Sequence, residues 1–164
     1  MAQYSAHTST GECIFCKIAA HEMPPLGNAI IREDEQRMAR LSPFPCTPGH
    51  TVVIPKKHFG SDVLKMPDQE LQTFIVVAKQ IAQKIENSFE DVGRVGLIME
   101  GTGIDHAHIK LIPMHGTEHM KQGVRKQYLS DESPWYDTYP GYLTSHDGPR
   151  ADDAVLQKIK SIIK

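Results

Sequence analysis

Gly101-Thr-Gly-Ile-Asp-His-Ala-His-Ile-Lys-Leu-Ile-Pro113 sets His106, His108 and Lys110 at every second position. Ile104, Ile109, Leu111 and Ile112 around them are residues that strands favour. Successive side chains on a strand point to opposite faces. The spacing predicts one strand with two imidazoles and an ammonium on a single face, preceded by a glycine turn at Gly101–Gly103. An edge strand with solvated polar residues is the plain reading of that face. A nucleophile or ligand cluster is the chemical one. A neutral imidazole near pH 7 attacks phosphorus or binds a metal, and a lysine neutralises phosphate oxygens as a point charge.

Working outward, Gly96 to Met99 reads as a strand leading into this turn. Before it, Leu71, Phe74, Ile75, Ala78, Ile81, Ala82, Ile85 and Phe89 recur at three- and four-residue spacing, predicting a helix over Asp68–Phe89. Pro67, Asp68 and Glu70 suit its first turn, and its apolar stripe is core. Thr51 to Ile54 is a buried-type strand whose end delivers Lys56, Lys57 and His58. Ser42 to Gly49 carries three prolines in eight positions, so it is a stiff loop, either a connector or a platform for binding groups. Cys46 within it reads as a bystander. Asn28–Arg32 and Gln36–Leu41 read as strands joined by an acidic turn at Glu33-Asp-Glu35.

Cys13-Ile-Phe-Cys16 presents two thiolates to one ion, and a tetrahedral zinc site then needs two more ligands. Two small buried residues, or a redox thiol pair, are the other readings. No strand precedes Cys13, which disfavours the thioredoxin type. The chain holds nine histidines to complete such a site; His58 is the candidate and His50 its rival. A short helix over Cys16–His21 should end at Met23-Pro-Pro25.

The 164 residues suffice for one domain with a respectable core. With 18 basic and 20 acidic residues, no dominant electrostatic hold on nucleic acid or anionic lipid is expected. No apolar run is long enough to span a membrane. Met1–Glu12 is polar, reading as a disordered arm rather than a signal peptide. Three cysteines, an odd number, suit metal binding or unpaired thiols and a cytoplasmic setting. Past Pro113, Met114–His119 reads as a polar loop in preference to an extension of the site wall. Trp135, Tyr136, Tyr139 and Tyr142 lie in an irregular segment and would cover a sheet edge or dimer partner, or stack on a base. Asp152–Ile163 reads as an amphipathic helix.

Cys13-Ile-Phe-Cys-Lys-Ile, Pro48-Gly-His-Thr-Val-Val-Ile-Pro-Lys-Lys-His58 and Gly101 to Ile112, in this order and spacing, resemble the histidine-triad (HIT) superfamily of nucleotide hydrolases and transferases. The likeness spans about Cys13 to Pro113. It implies an α+β fold in which an antiparallel sheet of about five strands packs on the 68–89 helix, usually as a homodimer. The chain then comprises a disordered arm (1–12), a HIT domain (13–113) and a C-terminal extension packed on that domain (114–164). The implied reaction is histidine attack on the α-phosphorus of a nucleoside phosphate, dinucleoside polyphosphate or nucleoside phosphoramidate, through a nucleotidyl-histidine. By position His108 is the nucleophile. His106 completes a structural zinc site with Cys13, Cys16 and His58; four protein ligands leave no open position for water, and the ion would steady the strand bearing His108.

His108 needs its far ring nitrogen hydrogen-bonded, most simply to a backbone carbonyl, so that the attacking nitrogen is the unprotonated one. The turn at Gly101–Gly103 lets backbone N–H groups approach phosphate oxygens, with Lys110 sharing that charge. Departures from the family pattern bear on substrate. Lys110 replaces the third histidine, where hydrolases usually carry His and several transferases Gln. It keeps a donor and a charge, but exchanges a proton at neutral pH only where its surroundings force it to. Thr102 and Gly103 stand where glutamine and serine commonly precede the motif. Ser42 holds the place of an acidic ribose contact. The leading expectation is a hydrolase. A nucleotidyltransferase or phosphorylase of the same chemistry, or a non-catalytic zinc-stabilised nucleotide-binding protein, are the alternatives.

Overall fold

A computed structural model describes residues 13–23, 29–126, 135–138, 140, 141, 143 and 150–163. The expected arm at 1–12, and Tyr139 and Tyr142, lie outside the described residues. The elements are α1 (Ile14–Ala19), β1 (Ile30–Glu33), β2 (Arg37–Leu41), β3 (Thr51–Pro55), α2 (Asp68–Ser88), β4 (Val95–Ile98), β5 (Ile109–Pro113) and α3 (Asp153–Ile162). Short 3-10 turns occupy Val63–Lys65 and Glu118–Gln122.

The strands form one antiparallel sheet in the order β1-β2-β3-β5-β4. This is the expected α+β architecture, with the long helix on one face. The β1–β2 turn closes because the Asp34 carboxylate accepts the N–H groups of Gln36 and Arg37, at 3.0 and 2.8 Å. Alternation along the strands divides the residues between two cores. Ala39, Val53, Ala107, Ile109 and Leu111 pack with Phe74, Ala78, Ile81 and Ile85 of α2. Met38 and Ile54 pack on the other face with Phe15, Ile18 and Ala19 of α1. Residues 106, 108 and 110 are out of phase with the α2 core, so they belong to the α1 face.

The expected strand through His106, His108 and Lys110 is shorter than its pattern. β5 begins at Ile109, where pairing with β3 starts at Val53. Before that point the backbone bonds elsewhere: His106 N–H to Ile104 O and Ala107 N–H to Phe59 O, both at 2.8 Å. The first helix is also displaced from the expected 16–21. It covers Ile14–Ala19 with Cys13 at its N-cap position, and it stops at Ala20 and His21, before the prolines. His21 has φ +59, a left-handed conformation that ends a helix. β4 starts one residue early, at Val95. Phe89 is extended rather than helical.

The described residues fall into two compact units divided after Arg125. In the second, α3 is capped by the Asp152 carboxylate, which accepts the Ala154 N–H at 2.7 Å. Trp135 donates its indole N–H to Asp137 at 3.1 Å. Among the described residues no helix is long and apolar enough to cross a membrane.

Candidate functional site

Helix α1 and the ends of the central strands bring four soft or borderline donors together. Cys13 and Cys16 sit at the start of α1, His58 follows β3, and His106 precedes β5. One donor atom from each lies within 4.8 Å of the others, a group able to hold a metal ion. Cys13 Sγ is 3.3 Å from His106 Nδ1; Cys16 Sγ is 3.4 Å from His58 Nδ1 and 3.5 Å from His106 Nδ1. The His106 tautomer follows from its other nitrogen. Nε2–H donates to the Pro55 carbonyl at 2.8 Å, so the Nδ1 lone pair faces the sulfurs. Burial holds the His106 pKa below the ordinary imidazole value, against the opposing pull of the Pro55 carbonyl. Burial and the adjacent Cys13 thiol push Cys16 up to about 11. His50, the rival ligand, lies outside this cluster.

His108 is separate from the metal group. Its Nδ1–H donates to the His106 carbonyl at 2.8 Å. Nε2 then carries the lone pair and makes no hydrogen bond among the described residues. The ring is 4 % exposed, and the Phe15 ring packs edge-on to both His106 and His108 at 5.7 Å between centroids. One turn of α1 thus supplies a thiol to the cluster and an aromatic brace to both imidazoles.

Lys110 is engaged differently from the sequence expectation. Its ammonium pairs with the carboxylate of Glu100, whose side chain is only 13 % exposed. Register explains the meeting: Lys110 lies opposite Ile98 of β4, and Glu100 follows two residues later. His50 enters the same neighbourhood. Burial, and then the charge of Lys110, lower its pKa. His50 Nδ1 accepts the Cys46 N–H at 3.4 Å, and its Nε2 is buried without a partner among the described residues. Arg40 shares the α1 face of β2 with Met38. It is 4 % exposed, and its Nε and Nη2 have no acceptor among the described residues. Glu100, His50 and Arg40 are the polar residues that sequence reasoning did not assign here. Arg40 and His50 do fall in phase with Val52 and Lys110, which was a readable signal.

The Gly101–Gly103 turn is held from below. Gly101 has φ +67 and Gly103 φ +93. A Cβ on Gly101 would meet the Ser61 carbonyl oxygen at 2.6 Å. Ser61 in turn donates its N–H to Asp105 at 2.9 Å. Thr102 is half-buried in this turn. Ser42 is spent locally: its hydroxyl accepts the Phe44 N–H at 3.2 Å and its N–H donates to His50 O at 2.8 Å. The proline loop is anchored at its far end by His115, which donates to the Pro48 carbonyl at 3.0 Å and to Asp91 at 2.9 Å. Gly49, at φ +82, packs beneath Phe89 and Pro113.

A five-stranded antiparallel sheet with one imidazole among four residues able to hold a metal and the next bonded through Nδ1–H to a backbone carbonyl beside it defines a recognisable class. Residues 26–120 match the HIT domain. Protein hit of Bacillus subtilis (strain 168) is 33 % identical over 126 residues, covering 74 % of this chain and 84 % of that protein. Adenosine 5′-monophosphoramidase HNT1 of Saccharomyces cerevisiae is 31 % identical over 110 residues, 65 % of each. The solved structure of a HIT family hydrolase from Clostridium thermocellum is similar at a TM-score of 0.53 and 26 % identity, over 65 % of this chain and 93 % of that one. The chain belongs to the HIT domain family.

Proposed function

We propose that this protein is a nucleotide hydrolase in which His108 attacks the α-phosphorus of a nucleoside phosphate, dinucleoside polyphosphate or nucleoside phosphoramidate. The observation that carries the reading is the 2.8 Å bond from His108 Nδ1–H to the His106 carbonyl. It fixes the tautomer with the lone pair on Nε2, the form a nucleophile needs. The yeast relative's name, a monophosphoramidase, and the clostridial hydrolase agree with attack at such a phosphorus. His108 Nε2 bonds to phosphorus and the bond to the leaving group breaks. Water then adds to phosphorus, and the phosphorus–nitrogen bond returns its electron pair to Nε2. Backbone N–H groups of the Gly101–Gly103 turn are the donors nearest in sequence for the equatorial oxygens.

Cys13, Cys16, His58 and His106 would hold zinc. Zinc–sulfur bonds of about 2.3 Å and zinc–nitrogen bonds of about 2.0 Å, at tetrahedral angles, would place sulfur about 3.5 Å from nitrogen. The three sulfur–nitrogen separations of 3.3, 3.4 and 3.5 Å are close to that edge. Such an ion is structural, since the protein fills its coordination. Its chemical contribution is to hold α1 and the His106 segment together, and so to set the carbonyl on which His108 depends.

Transfer of the nucleotidyl group to phosphate is the second reading, favoured by the ammonium of Lys110, which suits an anionic acceptor. Product analysis with and without added phosphate separates the two. For either, His108→Ala should lower kcat by about 10⁴-fold or more, and acid-labile label from an α-³²P nucleotide should be trapped on the native chain and absent from the variant. Turnover within about tenfold of native would remove His108 from the chemistry.

A further inference from the structure

We propose, building on the reading of His108 as nucleophile, that this site works without a general acid and so expels leaving groups that depart as stable oxyanions, phosphates above all, far better than amines. The residue two positions beyond the nucleophile on its face is Lys110, and its ammonium is paired with Glu100. Handing a proton to a leaving group would turn Lys110 into a neutral amine. It would also strand a carboxylate that is 13 % exposed, and an unpaired buried charge is costly. Lys110 therefore offers a fixed positive charge, not a proton.

The other groups around the site give the same answer. His50 accepts the Cys46 N–H on Nδ1, so its proton is on Nε2, buried and without an acceptor among the described residues. A neutral imidazole N–H is a hydrogen-bond donor but a very weak acid. His58 and His106 are committed to the metal cluster. His115 is committed to Pro48 and Asp91. The buried Nε2–H of His50 is thus a donor, unengaged among the described residues, that can meet a developing oxyanion without giving up its proton.

The atoms balance accordingly. His108 Nε2 bonds to the α-phosphorus, the bond to the bridging oxygen breaks, and its electron pair stays on that oxygen. A phosphate or acidic phenol leaves as the anion and needs no proton. Water then displaces the imidazole, and its proton passes to solvent. With an amine as leaving group, the pair would remain on nitrogen as an amide anion unless a proton arrived first, and none of the described residues named above delivers one.

The test compares kcat/KM of the native protein across adenosine 5′-phosphate derivatives: a diadenosine polyphosphate, aryl esters from nitrophenyl to phenyl, and the phosphoramidate. A steep fall with leaving-group basicity is expected. The anhydride should exceed the phosphoramidate by about 100-fold or more, the usual worth of a general acid. Lys110→His, alone and with Glu100→Gln, should flatten the dependence and raise phosphoramidate turnover relative to the anhydride. A flat dependence in the native protein, with turnover present, overturns the proposal and leaves the His108 mechanism standing. No turnover and no labelled His108 with any member of the series would overturn both.

Discussion

Gly101→Ala is a perturbation whose cost can be worked from the structure. The residue sits at φ +67, where an L side chain costs about 1–2 kcal/mol. The new Cβ would also lie 2.6 Å from the Ser61 carbonyl oxygen, so the two must separate by about 0.8 Å to reach ordinary contact. Overpacking against backbone of this kind costs about 1–3 kcal/mol. Reduced freedom of the unfolded chain returns about 0.4–1 kcal/mol. The balance is a loss of about 1–4.5 kcal/mol, centred near 3. Gly123→Ala is the matched control, since Gly123 has a similar φ of +79 and an added Cβ there meets nothing within 4 Å. It should lose about 1 kcal/mol or less. Urea unfolding of both variants, with the m-value checked for constancy, measures the difference. Ser61 is bonded to Asp105, next to His106, so Gly101→Ala should also lower kcat/KM about tenfold or more, while Gly123→Ala leaves it near native. Equal destabilisation of the two variants would refute the contact with Ser61 as the source of the cost.

Elemental analysis of the purified protein should find about one zinc per chain; Cys16→Ser should lose it and Cys46→Ser should keep it. Arg40→Met should raise the urea midpoint by removing a buried guanidinium with two nitrogens unpartnered among the described residues, a gain of about 1 kcal/mol; a fall in the midpoint would show that Arg40 is paired in the folded protein. His115 has its pKa raised by the Pro48 carbonyl first and by Asp91 second. The stability it adds is therefore fully present below about pH 6.5, the unfolded value, and is lost as pH rises through its higher folded value. Asp91, held low chiefly by His115, loses its own contribution only in acid. The stability gap between native protein and His115→Gln should thus be widest just below about pH 6.5 and narrow as pH rises; a gap that widens with alkali would contradict this.

The long helix was legible because seven apolar residues from Leu71 to Ile85 keep one period; Phe89 carries that period past the helix end, and Ile75 is exposed rather than core. The sheet was legible because its strands are short runs rich in apolar and β-branched residues, with clean alternation in β5, and two of its turns carry acidic or proline residues. The division between His106 and His108 rested on a resemblance; His106 lies with Cys13, Cys16 and His58 in a group that could hold a metal ion, and His108 is not in that group. The partner of Lys110 was not readable. Glu100 reaches it only through the register Ile98↔Lys110, and register is a property of two strands rather than of one stretch. The clamp of Ser61 beneath Gly101 joins residues forty apart in sequence, a tertiary contact that no local pattern encodes. The first helix starts two residues ahead of the expected Cys16 because Cys13 takes the N-cap position; Cys16 thus lies within its first turn, 3.4 Å from His58 Nδ1.

Alternation across the sheet has an evolutionary corollary. An inserted or deleted residue between His106 and Pro113 would exchange the two layers, sending imidazoles into the hydrocarbon beneath α2 and moving Ile109 and Leu111 to the opposite side. In descendants of this chain the segment from His106 to Pro113 is therefore open to replacement of its letters, not to a change in their number.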